Sequence, residues 1–324
     1  MGQLIDGTWE KQSLASLSEG GEFERKESSF RNWVTADGSA GPTGSGGFAA
    51  ESGRYHLYVS YACPWAHRAL IFRHLKDLTA HIDVSVVSPD MLDEGWTFAT
   101  DHPGATGDRL MGKDRLYEVY TASDPEATTR VTVPVLWDRE RGEIVSNESA
   151  DIIRMFNSAF DGLTGNTDDY HPEPLRPRIE EINARVYDTV NNGVYKSGFA
   201  STQKAYDKAV GALFDSLDWI ERLLEEHRYL AGDRITEADW RLFTTLIRFD
   251  TVYHTHFKCN RRRIIDYPAM SGYLRELYQW PGVAETVHFD HIARHYYYSH
   301  EHINPSRIVP IGPVLDLTAP HGRG

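Results

Sequence analysis

The chain is short of several things, and each shortage narrows what it does. Only two cysteines, Cys63 and Cys259, occur in 324 residues. A disulfide framework is excluded, and a reducing compartment fits. No apolar run approaches the roughly 20 residues that cross a bilayer. No basic-then-apolar leader opens the chain, and Asp6 stands where N-myristoylation expects Ser or Thr. Basic residues are few: 34 Lys and Arg against 47 Asp and Glu leave a net charge of −13. That balance argues against nucleic acid or an anionic membrane as the main partner. The 15 histidines make no zinc-type spacing with cysteine and no His-Glu-x-x-His. The expectation is a metal-free, cytoplasmic protein. Its length suggests about two domains.

Against this background Cys63 stands out. An apolar run, Leu57-Tyr58-Val59-Ser60-Tyr61-Ala62, ends at Cys63, and Pro64 then opens Trp65-Ala66-His67-Arg68-Ala69-Leu70. Proline suits the first helical position, where its missing N–H would lack a partner anyway. The cysteine therefore falls at the start of a helix, facing its N–H groups and the positive end of its dipole. Such a setting lowers a thiol pKa. Residue 66 is Ala, so no Cys-x-x-Cys pair closes an internal disulfide. A lone thiolate of this kind forms mixed disulfides with small thiols. His67, one turn on, is expected on the helix surface.

The rest of the chain reads as two unlike halves. Residues 1–50, rich in Gly, Ser and charge, suggest an extended arm pinned by Phe30, Trp33 and Phe48. Residues 51–160 carry the regular pattern. A strand over Arg54 to Ser60, a helix from Pro64 to Leu78 and a strand over Asp83 to Val87 make a βαβ unit with parallel strands. Residues 88–127 form a long insertion holding Trp96. Thr129 to Trp137 reads as a strand interrupted by Pro134, a residue confined to strand starts, edges and bulges. A short strand, Glu143 to Val145, and a helix from Ala150 to Phe160 follow. Ser146 or Asn147 would cap that helix, with Glu148 in its first turn. The order β-α-β then β-β-α, with proline opening the third strand, is that of the thioredoxin fold. Residues 161–175 read as a linker. Residues 176–290 are helical, with Val210, Leu213, Leu217, Ile220 and Leu224 as one apolar stripe. Thr236 and Asp239 make a capping box. Residues 291–324, full of His, Tyr and Pro, look like an irregular tail.

A thioredoxin-like half with a capping cysteine, joined to an all-helical half with an Ile-Thr-x-x-Asp cap, resembles the cytosolic glutathione transferases. Longer motifs narrow the resemblance. Tyr61-Ala62-Cys63-Pro64-Trp65-Ala66-His67-Arg68, Gly95-Trp96, Arg130-Val131-Thr132-Val133-Pro134, Ser146-Asn147-Glu148-Ser149 and Asn191-Asn192-Gly193-Val194-Tyr195 look like the glutathionyl-hydroquinone reductases, the xi class. Arg248-Phe249-Asp250 with Tyr253, and Asn304-Pro305 with Gly312-Pro313, fit as well. The similarity runs over nearly the whole chain.

The resemblance implies an α/β thioredoxin-like domain plus an all-α domain, glutathione as co-substrate, and a homodimer. It implies that Cys63 attacks the sulfur of a glutathionyl-hydroquinone and is then released by a second glutathione. Glutathione would pair its backbone with Val133, beside a cis Pro134. Its γ-glutamyl end would sit at Ser149 and Glu148, its glycyl carboxylate at Arg130, and Trp96 would cover it as a lid. Tyr195, Tyr253 and Tyr296 would serve the quinone end. Each has a plainer reading: strand core for Val133, helix capping for Glu148 and Ser149, packing for Trp96 and for most of the 17 tyrosines. Cys259, among Lys258 and Arg261 to Arg263, is expected to be somewhat reactive but not catalytic. Two rivals use the same resemblance: an omega-like thiol transferase or dehydroascorbate reductase, and a non-catalytic binding module of the same fold.

Overall fold

The computed structural model describes residues 2–11 and 18–323. Asp6 and Gly7, at φ 45° and 73°, form a tight turn between β1 (Gly2–Ile5) and β2 (Thr8–Lys11). Asp-Gly suits the positive φ that such hairpin turns demand. The expected arm thus begins as a hairpin. Farther along, Asn32 N–H donates to Val145 O at 2.9 Å and Asn147 N–H to Phe30 O at 3.2 Å, so the arm lies along a strand edge. Phe48 is buried and Phe30 meets the Tyr120 ring edge-on at 5.6 Å, as expected, and Leu4 and Val34, both fully buried, are further anchors.

The chain divides into two compact units, each made of three segments. The first holds Met1–Leu14, Glu27–Asp168 and Asp290–Ser299; the second holds Ala15–Lys26, Asp169–Phe289 and His300–Gly324. In the first, β3 (Tyr55–Val59) is buried at every residue. It leads to α1 (Pro64–Leu75) and β4 (Asp83–Val86), then α2 (Leu116–Ser123), β5 (Thr129–Arg130), β6 (Val135–Asp138), β7 (Glu143–Ser146), α3 (Ser149–Ser158) and one turn, α4 (Asp161–Thr164). The main sheet has the order β4-β3-β6-β7. β3 and β4 are parallel, while β3–β6 and β6–β7 are antiparallel. This is the expected thioredoxin-like layout. β5 instead joins the hairpin, with Gln3 opposite Arg130 and Leu4 opposite Thr129.

Three details differ from the sequence reading. α1 stops at Leu75 because Asp77 turns left-handed at φ 56°. His67 is fully buried, since α1 buries every residue from Ala66 to Phe72 and keeps no solvent face there. The insertion is not all loop: it contains α2. Lys76, also buried, donates to Asn166 O at 2.7 Å and Asp168 O at 2.6 Å, and so ties down the residues after α4.

The second unit runs through α5 (Arg176–Val186), α6 (Gly193–Gly198), α7 (Gln203–Glu226), α8 (Glu237–Arg248) and α9 (Pro268–Tyr278). α7 buries Leu213, Leu217, Ile220 and Leu224 of the expected stripe, while Val210 at its start is only half-buried. Each such side chain contributes about 1.5–3 kcal/mol on burial. Thr236 N–H donates to Asp239 Oδ2 at 2.8 Å, the predicted cap. Asp239 Oδ1 also accepts from Leu230 N–H at 2.9 Å and Tyr273 OH at 2.8 Å. Two π-helical turns interrupt the helices, Tyr187–Asn191 and Phe249–Tyr253, and both carry Asp-Thr-Val at their centre. The stretch after residue 290 is not all irregular either. α10 (Phe289–Ser299) gives residues 290–299 to the first unit.

Candidate active site

β3 ends at Val59, and a short turn follows in which Cys63 N–H donates to Ser60 O at 3.1 Å. Cys63 then caps α1 in extended conformation, with φ −77° and ψ 121°, and Pro64 takes the first helical position. The thiol is partly exposed. Its Sγ lies 3.5 Å from Val133 O. The Val133–Pro134 peptide bond is cis.

The segment before Pro134 is held by a residue the sequence did not single out. Tyr120 of α2 is fully buried, and its hydroxyl donates to Thr132 O at 2.8 Å. The same oxygen accepts from Thr132 N–H at 3.2 Å and Asn147 Nδ2 at 3.1 Å. Burial pushes the phenol pKa up, which keeps that donor protonated. One hydroxyl thus fixes both the approach to Val133 and the approach to α3.

The cap of α3 is Glu148, not Ser146 or Asn147. Its Oε1 accepts from Ala150 N–H at 2.9 Å, and its Oε2 accepts from Ser28 Oγ at 2.9 Å. Ser146 instead bonds back to Glu148 N–H at 3.1 Å, and Asn147 turns to Phe30 N–H at 3.2 Å. Ser149 is buried. A second missed residue, Arg68 of α1, donates to Ser149 Oγ at 3.4 Å and stacks over Trp65 at 4.5 Å. It joins the start of α3 to the cysteine's own helix. Its buried charge adds positive potential beside the start of α3. Arg31 pairs with Asp151 in the first turn of α3.

Arg130 stands three residues before Val133, half-buried on β5. Trp96 is 7% exposed, stacked on His295 of α10 with 4.8 Å between ring centres and 22° between planes. The residue expected to cover the tripeptide thus has one ring face packed against α10. α10 grips the insertion at several points. Arg294 pairs with Asp90 through two contacts of 2.7 and 2.8 Å, and His295 Nδ1 donates to Pro89 O at 2.9 Å. Tyr296, next along α10, is buried.

The second unit gathers an aromatic cluster. Tyr195 meets Tyr253 edge-on at 6.0 Å and Phe257 at 5.5 Å, and Tyr253 stacks on Phe257. Arg25 lies 5.2 Å from the Tyr195 ring and donates to Asn192 Oδ1 at 2.6 Å. Tyr253 closes the second π-helical turn. Such turns recur at functional sites.

Known proteins resemble this chain over its whole length. Residues 62–159 match the family of the glutathione S-transferase N-terminal domain, and residues 203–276 that of the C-terminal domain. The glutathionyl-hydroquinone reductase YqjG of Escherichia coli K12 is 59% identical over 323 residues, covering 100% of this chain and 98% of that protein. The chain belongs to the glutathionyl-hydroquinone reductases. The reductase PcpF of Sphingobium chlorophenolicum is 51% identical, covering 98% of each. The glutathione-bound structure of YqjG superposes with a TM-score of 0.92, covering 99% of both chains. A xi-class transferase from Natrialba magadii superposes at 0.91, 48% identical, over 100% of this chain and 96% of that one.

For a glutathionyl-hydroquinone reductase, the first unit brings Cys63, Val133 and Pro134 into one place, with Ser149 tied to it through Arg68. Tyr195 and Tyr253 come together in the second unit. Cys259 departs from expectation: it is fully buried, and burial pushes its thiol pKa up to about 12. Chain spacing also missed two trios whose ligand-type atoms lie within 4.8 Å of one another: His102, Asp290 and His291, and His171, Glu180 and Glu237. In the first, His291 Nε2 donates to Pro103 O at 2.7 Å. In the second, His171 pairs with Glu180 at 3.0 Å and Glu237 with Arg241 at 2.8 Å. No helix among the described residues is long and apolar enough to cross a membrane.

Proposed function

We propose that this chain reduces glutathionyl-hydroquinones to hydroquinones at the expense of glutathione. The observation that carries the reading is Cys63, partly exposed at the start of α1, with its sulfur 3.5 Å from the carbonyl before cis-Pro134. The Cys63 thiolate attacks the sulfur of the glutathionyl group. The new S–S bond forms as the aryl C–S bond breaks, and the ring carbon takes the electron pair and a proton. The aromatic carbon is reduced and the two sulfurs are oxidised to a mixed disulfide. A second glutathione thiolate attacks that disulfide, releases oxidised glutathione and regenerates Cys63. The cycle uses no metal.

Glutathione is held by the Val133 backbone, by Ser149 and Glu148 at the γ-glutamyl end, and by Arg130 at the glycyl carboxylate, with Trp96 covering the tripeptide. The start of α3 suits a carboxylate because its N–H groups point outward there. The phenols of Tyr195, Tyr253 and Tyr296 serve the leaving aromatic and supply its proton. The two free cysteines favour a reducing, cytoplasmic setting, and the xi-class kinship favours a homodimer.

The test is turnover with glutathione and a glutathionyl-hydroquinone, with intact mass spectrometry alongside. Hydroquinone release with one glutathione on Cys63 is expected. An adduct without hydroquinone release would turn the reading to a thiol transferase. Neither adduct nor turnover would leave a binding module.

A further inference from the structure

The N-terminal hairpin is fastened to the insertion at the residue next to Trp96. Asp93, Glu94 and Gly95 make a tight turn, with Gly95 N–H donating to Leu92 O at 3.1 Å and Gly95 at φ 69°. Trp9 of β2 closes on that turn from outside. Its indole N–H donates to Asp93 O at 3.1 Å. Its ring lies so close to Gly95 that a Cβ there would sit 2.7 Å from it. It also stacks on Tyr117 of α2, at 5.0 Å and 17°. Lys11 adds an ion pair to Asp93 at 2.7 Å, too exposed to contribute much. The same hairpin fixes Arg130, because β1 pairs with β5 in the register Gln3 opposite Arg130. Gly7 N–H donating to Ala127 O at 3.0 Å and Asp6 N–H to Thr128 Oγ1 at 2.9 Å lock that register from the turn end.

We propose that Trp9 is a positioning residue for glutathione. It holds the Asp93–Gly95 turn from behind, while His295 holds Trp96 from the other side, so that the indole of Trp96 is presented in one orientation. The inference rests on the glutathione-dependent reading above, in which Trp96 and Arg130 contact the tripeptide. It gives the first strands of the chain a part in the site without any contact to substrate.

The test is Trp9→Ala and Trp9→Phe in the full chain. Glutathione affinity is measured by calorimetry, KM and kcat by turnover, and hydrogen exchange by mass spectrometry. Trp9→Ala is expected to weaken glutathione about tenfold, about 1.4 kcal/mol. kcat at saturating glutathione is expected within about twofold of wild type, since no reacting group moves. Exchange is expected to rise in residues 92–98 and not in α7. Trp9→Phe keeps a ring against Gly95 and Tyr117 and is expected to recover most of the affinity. If Trp9→Ala does not fold, Tyr117→Ala, which removes the face Trp9 stacks on, is expected to shift KM in the same direction. Wild-type glutathione affinity in a destabilised Trp9→Ala would overturn the inference and leave the proposed reaction standing. Failure of the wild-type enzyme to form any glutathione adduct would overturn both.

Discussion

Cys63 and Cys259 carry the same thiol into opposite settings. Both have helpful-looking surroundings in the sequence: a helix start for one, four basic residues for the other. In the fold only the first survives. Cys63 stays partly exposed at the N-terminus of α1. Cys259 is fully buried, with its sulfur 3.8 Å from Phe257 O and 4.0 Å from Val194 O. The charge of Lys258 pulls its pKa down, against the larger effect of burial, while the three arginines are engaged elsewhere. Arg261 lies over Phe214, Arg262 over Tyr267, and Arg263 pairs with Asp266 at 2.8 Å. Desolvation therefore outweighs charge, and the thiol stays protonated. Thiol reactivity follows burial and helix geometry, not the charges adjacent in the chain.

The largest test of this contrast is turnover. Cys63→Ala should lose at least about 10⁴-fold, as removal of a nucleophile does, while Cys259→Ala should stay within about twofold. Near-wild-type turnover by Cys63→Ala would end the assignment. Alkylation at pH 7, read by mass spectrometry, comes next. Cys63 should react in the folded protein and Cys259 only after denaturant, since a thiol with its pKa near 12 has a thiolate fraction of about 10⁻⁵ at that pH. Equal native labelling would break the comparison.

Burial keeps another group neutral, this time in the first unit. His56 has its pKa lowered to about 4 by burial and by Arg139, which donates to its Nδ1 at 3.2 Å, while Nε2 donates to Ser85 Oγ at 2.8 Å. The unfolded chain, with an ordinary histidine, binds more protons between pH 6.5 and about 4. The contribution of His56 is thus complete above pH 6.5 and falls as pH drops through that window, by at most about 1.4 kcal/mol per pH unit. Urea unfolding at stepped pH should show this slope, and His56→Gln should flatten it. The smallest effect concerns polarity. Cys259→Ser should destabilise by about 1 kcal/mol, since a hydroxyl needs a better partner than carbonyls at that distance. Cys63→Ser, half-exposed, should change stability by less than about 0.5 kcal/mol.

Much of this was legible in the chain. The strand–Cys–Pro–helix run, the Pro134 signal, the α7 stripe and the Thr236 cap all rest on local chemistry, and local chemistry survives folding. α10 was not legible because its inward face uses His291, Ile292, His295, Tyr296 and Ser299. Those residues read as a polar tail until Pro89 O, Pro103 O and Trp96 are seen to receive them. The hairpin hid for a similar reason. Asp6-Gly7 is a sound turn signal, but its flanks carry one buried apolar residue, Leu4, and a half-buried Trp9 whose partners lie some 85 to 110 residues downstream. Tyr120 and Arg68 escaped notice because nothing along the sequence marks which hydroxyl or guanidinium will span two elements.

The segmented make-up of the first unit bears on how the protein is born. Its insertion is fastened by Arg294, His295 and Ser299, which leave the ribosome only after nearly all of the second unit. Chains whose domains are contiguous can complete them one at a time as synthesis proceeds. Here the half that bears Cys63 waits, with Asp90 and Trp96 lacking their α10 contacts, until residues 290–299 have been made. A nascent chain stalled before residue 289 should therefore leave the 88–104 stretch open to protease, and one released after residue 299 should protect it.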